Sequence, residues 1–355
     1  MKKTTLKRFN FYLLKLFLVL LIYHAFVMTS SAQDVVFSQF YNTPIYANPA
    51  NTGRFEQDIR FGLIHRNQWQ SLGSPYQSTM FSADMNFYKN PLKADRMGAG
   101  LLVLNDETPD GVFKTQQILL SGSFHQALDD EDRHKFSFGL QAGVGLRSQN
   151  PYGRIFGDMI NPTNNQFDQT SKENLTASNI PYLNINTGVN YEFVASDKVA
   201  ISIGLAAHNL TMPKEGYTDK RLSVRWSVIL GMSYKITPKL TLMPSVYYTS
   251  MASAPVLMPG ANVAYSFLPQ KSKNTFIGSV GVWYQAANAA VVYGGLRFNN
   301  VQVGMSYDFT ASSQTSTVQY FGNKALLGAW EISLVYVGFL KRGIPSEVSV
   351  PCKIF

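Results

Sequence analysis

From residue 57 onward, hydrophobic and polar residues alternate in one strand-length segment after another, and no amphipathic helix of three turns interrupts them. The clearest segment is Val301–Phe309, VQVGMSYDF, in which the apolar side chains share one face. Gln302, Gly304, Ser306 and Asp308 share the other face. A period of two is typical of β-strands with one apolar and one polar face. The sequence therefore predicts an all-β protein.

A soluble β-sandwich would also alternate, so the length and chemistry of the strands must distinguish the two folds. The predicted strands commonly have 10 to 14 residues, whereas globular strands have about 5–6 and membrane-spanning strands about 9–11. Their polar faces are rich in Gly, Ser, Asn and Gln, which suits a wet lumen. Aromatic residues gather near strand ends, as an interfacial girdle requires, at Phe87 and Tyr88, Tyr191 and Phe193, Tyr247 and Tyr248, and Tyr265 and Phe267. These features favour a transmembrane antiparallel β-barrel.

We predict fourteen strands, at residues 57–68, 76–89, 94–105, 113–127, 134–148, 180–193, 197–208, 220–235, 238–250, 256–268, 274–286, 288–298, 300–310 and 327–340. An even number is typical of single-chain bacterial barrels. Connections after even-numbered strands are short, and the two longest, residues 149–179 and 311–326, both follow odd-numbered strands. One tight connection, near Ala287, departs from this rule. We therefore expect the long loops outside the cell and both the N- and C-termini of the mature chain in the periplasm.

The first 32 residues have the pattern of a secretory signal peptide. Four basic residues lie within the first eight, Leu16–Val27 is apolar, and Ser30-Ser31-Ala32 supplies a small-residue cleavage site. An uncleaved membrane anchor is the alternative, but Lys15 shortens the apolar run below a comfortable span. We expect the mature chain to begin at Gln33.

Charge and motif content argue against nucleic-acid binding and catalysis. Without residues 1–32, the balance is 26 basic against 22 acidic residues, and no run of five basic residues remains. The single cysteine, Cys352, excludes an internal disulfide. No catalytic or nucleotide-binding motif is present, and the histidines lack metal-ligand spacing. We therefore expect a non-enzymatic protein with no cofactor, no metal and no nucleic-acid partner.

The stretch Gln33–Gly53, QDVVFSQFYNTPIYANPANTG, is unusual because it is aromatic and apolar without being a strand. Pro44 and Pro49 each lack an N–H and bias the preceding residue away from helix, so we expect an extended or turned segment. It is too apolar for a solvated linker. Residues 33–56 are therefore predicted to plug the lumen or to cap the barrel at its periplasmic rim, before the barrel proper at residues 57–340.

The order of motifs in this region resembles a known family. S-Q-F-Y at 38–41, Pro44, N-P-A at 48–50, Gly53 and R-N-Q-W at 66–69 resemble the opening of PorP/SprF proteins, which are outer-membrane components of the type IX secretion system. The resemblance extends along the mature chain to a V-P-C near the terminal phenylalanine.

The resemblance implies that the protein supports secretion or surface attachment of passenger proteins, gliding adhesins among them. It also implies four partners: a periplasmic peptidoglycan-binding protein, ring components of the secretion machine, the secreted passenger and the lipid bilayer. The loop at 149–179 is a candidate passenger-binding surface. The alternative function is a FadL-like or porin-like outer-membrane channel for small or hydrophobic molecules, which the strand pattern fits equally well.

Three groups of residues are candidates for plug or partner contacts. Asn48, Pro49 and Ala50 resemble the N-P-A hatch sequence of FadL-like transporters, in which the N-terminal segment plugs the lumen. Arg66 and Trp69 either contact a partner or are simply a lumen arginine and a girdle tryptophan. The tail at residues 341–355 contains the last candidates, Pro351 and Phe355, and is predicted to dock either on the barrel's own rim or on a periplasmic partner.

Overall fold

The computed structural model describes residues 34–70, 74–89, 95–150, 178–214, 221–252, 254–269, 274–286, 288–310 and 328–340. Within these residues, fourteen antiparallel strands form one closed barrel. Each strand pairs with its neighbours in sequence, and the last strand pairs with the first. The predicted all-β, fourteen-stranded barrel is confirmed. No helix in the described part of the chain is long and apolar enough to cross a membrane.

The strands are β1 (Ile59–Gln68), β2 (Tyr76–Lys89), β3 (Arg96–Glu107), β4 (Phe113–Ala127), β5 (His134–Gln149), β6 (Ser178–Ser196), β7 (Val199–His208), β8 (Arg225–Lys235), β9 (Leu240–Met251), β10 (Ala254–Ser266), β11 (Phe276–Gln285), β12 (Ala289–Phe298), β13 (Val301–Thr310) and β14 (Gly328–Gly338). β2 and β4 have the predicted bounds. Most other ends lie within two or three residues of the prediction, as expected when only the side-chain period marks them.

The largest difference is at β8, which begins at Arg225 instead of residue 220. Alternation does continue through residues 221–224, but Leu222 donates its backbone N–H to Pro213 O at 2.8 Å. Lys214 and Arg221 form an isolated antiparallel bridge in the same connection. Leu222 is buried, unlike Trp226, which lies on the exposed outer face of β8.

The two faces of the strands are those that the alternation predicts. In β13, Val303 and Met305 are about half exposed on the outer face, while Ser306 and Asp308 are buried on the inner face. In β6, Asn184, Asn186, Asn190 and Glu192 are likewise buried and point inward. An apolar outer band on long strands is what a bilayer requires.

The barrel has two ends that differ in their connections. We call the end with the connections after even-numbered strands the turn side, and the other end the loop side. The long connections, residues 150–177, 209–224 and 311–327, are all on the loop side. Two loop-side connections are short, at residues 252–253 and 286–288. Most of the candidate passenger-binding loop lies outside the described residues.

Candidate functional site inside the barrel

The N-terminal segment, residues 34–58, lies within the barrel and contacts its inward-facing side chains. An extended or turned segment was expected, and the segment is turned. It contains a 3-10 turn at Phe40–Asn42, a short α-helix, α1, at Pro44–Ala47, which was not expected, and another 3-10 turn at Pro49–Asn51. Each proline occupies the first position of its helix, where the missing N–H has no partner to lose and the fixed φ favours helix.

At the loop side, a buried ionic cluster joins the segment to β1, β13 and β14. Arg66 of β1 pairs with Glu331 and, at 2.9 Å, with Asp308. Glu331 accepts the backbone N–H groups of Ser38 (2.7 Å) and Gln39 (2.9 Å). The Ser38 hydroxyl donates to Asp308 at 2.7 Å. Glu331 is fully buried, so its charge depends on these donors rather than on water.

A second polar cluster fixes the start of the segment against β8. Arg225 donates to the Tyr46 hydroxyl at 2.9 Å, and its guanidinium lies 4.5 Å from the centre of the Tyr46 ring. The Tyr46 hydroxyl donates to Val35 O at 2.7 Å. Asp34 lies 3.7 Å from Arg225 and accepts from Asn209 at 2.8 Å. Burial raises the pKa of Tyr46, which keeps its hydroxyl protonated and able to donate.

The end of the segment is tied to the turn-side half of the wall. Arg54 pairs with Glu192 of β6, which also lies 3.5 Å from Lys135 of β5. Arg60, at the start of β1, pairs with Asp84 of β2 at 2.6 Å. The segment is thus held by ion pairs at both of its ends.

Close backbone approach explains the glycine at position 53. Gly53 has a φ of +65°, which favours glycine, and a Cβ there would lie 2.8 Å from the Cα of Gly98 in β3. Next to it, Thr52 O accepts hydrogen bonds from the Ser123 hydroxyl (2.6 Å) and from His125 Nε2 (2.8 Å).

The N-P-A sequence docks on β5, β6 and β7. The Asn48 side chain accepts the Ala50 N–H at 2.8 Å, as an N-cap residue does. Its amide group donates to two strand carbonyls that face each other in register, Val189 O at 3.0 Å and Leu205 O at 3.3 Å. Asparagine therefore serves both as helix cap and as wall contact.

Two glycines in the wall make room for this docking. A Cβ at Gly139 of β5 would overlap the backbone of Pro49, and a Cβ at Gly188 of β6 would overlap the Asn48 side chain. Alanine at either position would displace the N-P-A sequence from the wall.

Apolar side chains also fill the lumen where the segment lies, so the inner face is less uniformly wet than its polar composition suggested. Phe37, Ile45 and Tyr46 pack against inward residues of the first four strands, which are Ile64, Met80, Leu102, Leu104 and Leu119. On the opposite wall, Phe40 stacks on Tyr247 at 4.9 Å and meets Trp283 edge-on at 5.2 Å. Tyr247 was expected in the outer aromatic girdle, and that assignment is wrong, since it is buried inside the barrel.

A cavity of about 560 Å³ lies between the segment and the turn-side rim. Tyr41, Pro44 and Asn51 of the segment line the cavity towards the loop side. Inward residues near the turn-side strand ends, such as Lys235 and Arg297, form its sides.

The candidate residues predicted from sequence do not form one site. Asn48, Pro49 and Ala50 lie on β5–β7, whereas Arg66 lies in the loop-side ionic cluster. Trp69 follows β1, half-buried, with its ring edge-on to Tyr76 at 5.4 Å. Pro351 and Phe355 lie outside the described residues.

Sequence reasoning missed the partners of Arg66. Asp308 and Glu331 were identifiable only as charged residues on an inward strand face, and Arg225 likewise. A charged side chain on a face that must pack inside a barrel is the signal that could have found them, since such a charge requires a partner.

The sequence matches a family model described as type IX secretion system membrane protein PorP/SprF, over residues 29–336. The chain belongs to this family. No curated protein matches the PorP/SprF chain.

Solved structures similar to this PorP/SprF protein include the Ralstonia pickettii toluene transporter TbuX, at 11% identity, covering 88% of this chain and 96% of that chain, with a TM-score of 0.50. The P. putida toluene transporter TodX has 10% identity, covers 85% and 94%, and has a TM-score of 0.46. A Pseudomonas aeruginosa FadL homologue has 11% identity, covers 83% and 94%, and has a TM-score of 0.44. At such identities, only the barrel fold is shared.

Proposed function

We propose that this outer-membrane component of the type IX secretion system is a non-enzymatic platform that supports secretion or surface attachment of passenger proteins, gliding adhesins among them. The supporting observation is that the N-terminal segment is built into the interior of the barrel, from the loop side to the turn-side half of the wall. Its side chains make ion pairs, through Asp34 and Arg54, and apolar contacts with strands around the wall.

The energetics favour a segment that stays in place. Moving residues 38 and 39 out of the barrel would leave Glu331 without two of its N–H donors. Leaving a buried polar group without its hydrogen-bond partner typically costs about 1–3 kcal/mol, and more when the group is charged. A segment held in this way suits a rigid docking platform better than a gate that opens for each solute.

The orientation follows from the same arrangement. We propose that the turn side faces the periplasm and the loop side faces the exterior, as in other bacterial barrels. The peptidoglycan-binding partner and the ring components would then meet the turn side, and the passenger the long loops. The tail at residues 341–355 follows β14 from the turn side, where it would reach a periplasmic partner.

A FadL-like channel is the second candidate, and one observation favours it. The pairing of β8 with β9 is interrupted between Gly231 and Tyr234. This gap lies opposite Pro244, which has no N–H to donate. Met232 and Pro244, which belong to the outward set, line the turn-side cavity. The β8–β9 ladder is therefore interrupted at a place where an apolar molecule could pass between cavity and bilayer.

A deletion strain distinguishes the two functions. We expect passenger protein to be degraded or trapped in the periplasm, with hydrophobic-solute uptake unchanged. Complementation with the full chain should restore secretion, whereas a chain truncated after Arg342 should insert as a heat-modifiable barrel but fail to restore it. Normal secretion with defective uptake of a hydrophobic solute would instead establish the channel. Restoration by the truncated chain would exclude a docking role for the tail.

A further inference from the structure

The turn-side cavity is strongly cationic. Among the described residues that line it, there are six basic side chains but only two carboxylates, Glu56 and Glu192. The basic residues are Arg54, Arg60, Arg96, Lys135, Lys235 and Arg297. Counting Asp84, which pairs with Arg60 behind the lining, still leaves three basic side chains in excess. Such an excess inside a low-dielectric wall attracts anions.

The cations are distributed around the mouth of the cavity. Five of them lie within two residues of the turn-side end of their strands, on β1, β3, β5, β8 and β12, and Arg54 belongs to the N-terminal segment. A site for a single lipid carboxylate or phosphate would have its cations clustered at one point. A ring suits a ligand that carries several negative charges at intervals.

The remaining lining combines apolar, hydroxyl and amide side chains. It includes Ile229, Met243 and Ile277, serines such as Ser202 and Ser245, and amides such as Asn262. The volume, about 560 Å³, is that of a pocket for a drug-sized ligand or a few residues of extended chain. Apolar side chains and backbone amides of an inserted peptide would both find partners on these walls.

We propose that the turn-side cavity is a docking pocket for an acidic, partly apolar polypeptide segment of a partner protein, entering from the turn side. This inference deepens the proposed function by naming the chemistry of the partner, and it rests on that function for the partner's role in secretion. The chain's own tail is a poorer occupant on charge, because residues 341–355 contain Lys341, Arg342 and Lys353 but only Glu347.

The test measures binding of labelled peptides to the purified full-length barrel in detergent by fluorescence anisotropy. The probes are three twelve-residue peptides with leucine at alternate positions and Glu, Gln or Lys at the others. The Glu peptide should bind, with an affinity that falls as salt rises. The Gln and Lys peptides should bind at least about tenfold more weakly, since charge-assisted contacts are lost. Equal binding of the Glu and Gln peptides would overturn the proposal.

Variants locate the binding. The double variant Lys235→Gln/Arg297→Gln removes two cations that do not pair with Glu192 or Asp84, and should weaken Glu-peptide binding at least about tenfold. The control Lys198→Gln/Lys239→Gln removes two exposed cations from turns at the same end, outside the cavity lining, and should bind normally. Equal losses in both variants would show non-specific attraction and overturn the proposal. If the first variant does not fold, Lys235→Arg/Arg297→Lys should retain Glu-peptide binding, and its loss in that folded variant would count against a charge-based pocket.

Two competitors identify other occupants. The first competitor is dodecyl phosphate. If it binds the unchanged protein but not the cavity variant Lys235→Gln/Arg297→Gln, and the Glu peptide does not bind, the pocket takes an anionic amphiphile and the proposal is wrong. If the Glu peptide binds only after truncation at Leu340, the chain's own tail is the occupant, and the proposal is again wrong. If no peptide binds but the deletion strain fails to secrete its passenger, the pocket proposal is wrong and the proposed function stands. Normal secretion in the deletion strain, with specific peptide binding, would refute the function and keep the pocket.

Discussion

At the scale of single residues, buried charged side chains pair across the interior of the barrel, and no local sequence pattern predicts which of them become partners. Arg66 was singled out because it lies in a recognisable motif, but its partners were not. Arg66 and Glu331 face each other in register only because β14 closes on β1. That contact joins residues 265 positions apart in sequence, and alternation within one strand carries no information about which strands become neighbours.

Replacing Glu331 with glutamine should therefore destabilise the barrel substantially. The variant removes the buried charge and replaces one of the two oxygens that accept the Ser38 and Gln39 N–H groups with an NH2 group, which cannot accept. It leaves Arg66 with Asp308 as its remaining carboxylate. We expect a loss of about 3–5 kcal/mol in the free energy of unfolding, measured by urea titration of the refolded barrel in detergent.

Glu107→Gln is the matched control for Glu331→Gln. Glu107 also lies near the loop side, but its contact with Lys114 is 4.0 Å long and both side chains are more than a third exposed. A pair of this kind contributes little to stability. A shift of equal size in the two variants would show that the buried cluster has no special role.

At the scale of elements, strands were predictable and the N-terminal segment was not. A strand that faces lipid and lumen must alternate, so β2 and β4 could be bounded correctly from sequence alone. The segment has no such period. The prolines, Pro44 and Pro49, were expected to keep the preceding residue out of helix, and the preceding residues are non-helical, but both prolines also begin short helices because they stand at first positions. Whether a helix follows a proline depends on the residues after it and on the wall that receives them.

Substituting Gly139 with alanine tests whether the wall holds the segment. The new Cβ would overlap the backbone of Pro49, and overpacking of this kind costs about 1–3 kcal/mol. We expect faster hydrogen–deuterium exchange in a peptide covering residues 44–52. Gly122→Ala is the control, because a Cβ at Gly122 meets no atom within 4 Å. Equal protection in the two variants would mean that the segment does not depend on this contact.

At the scale of the whole molecule, parity of the connections was the most informative feature of the sequence. Alternation predicted fourteen strands, and the count placed the longest connections on one side, as the structure has them. The cationic cavity could not be predicted in this way. It arises where the ends of β1, β3, β5, β8 and β12 meet around the N-terminal segment, and only the closed barrel brings those ends together.

Labelling of whole cells tests the orientation that this parity implies. An epitope inserted after Asn165, in the connection between β5 and β6, should be accessible to antibody on intact cells. An epitope after Glu347, beyond the turn-side end of β14, should become accessible only when the outer membrane is permeabilised. An epitope after Lys239, in the short turn between β8 and β9, is the internal control and should behave like the one after Glu347, since both lie at the turn side. Labelling of the Glu347 and Lys239 epitopes on intact cells, with protection of the Asn165 epitope, would show that the barrel has the opposite orientation. The cationic cavity would then face the exterior, where a passenger rather than a periplasmic partner would supply the acidic segment.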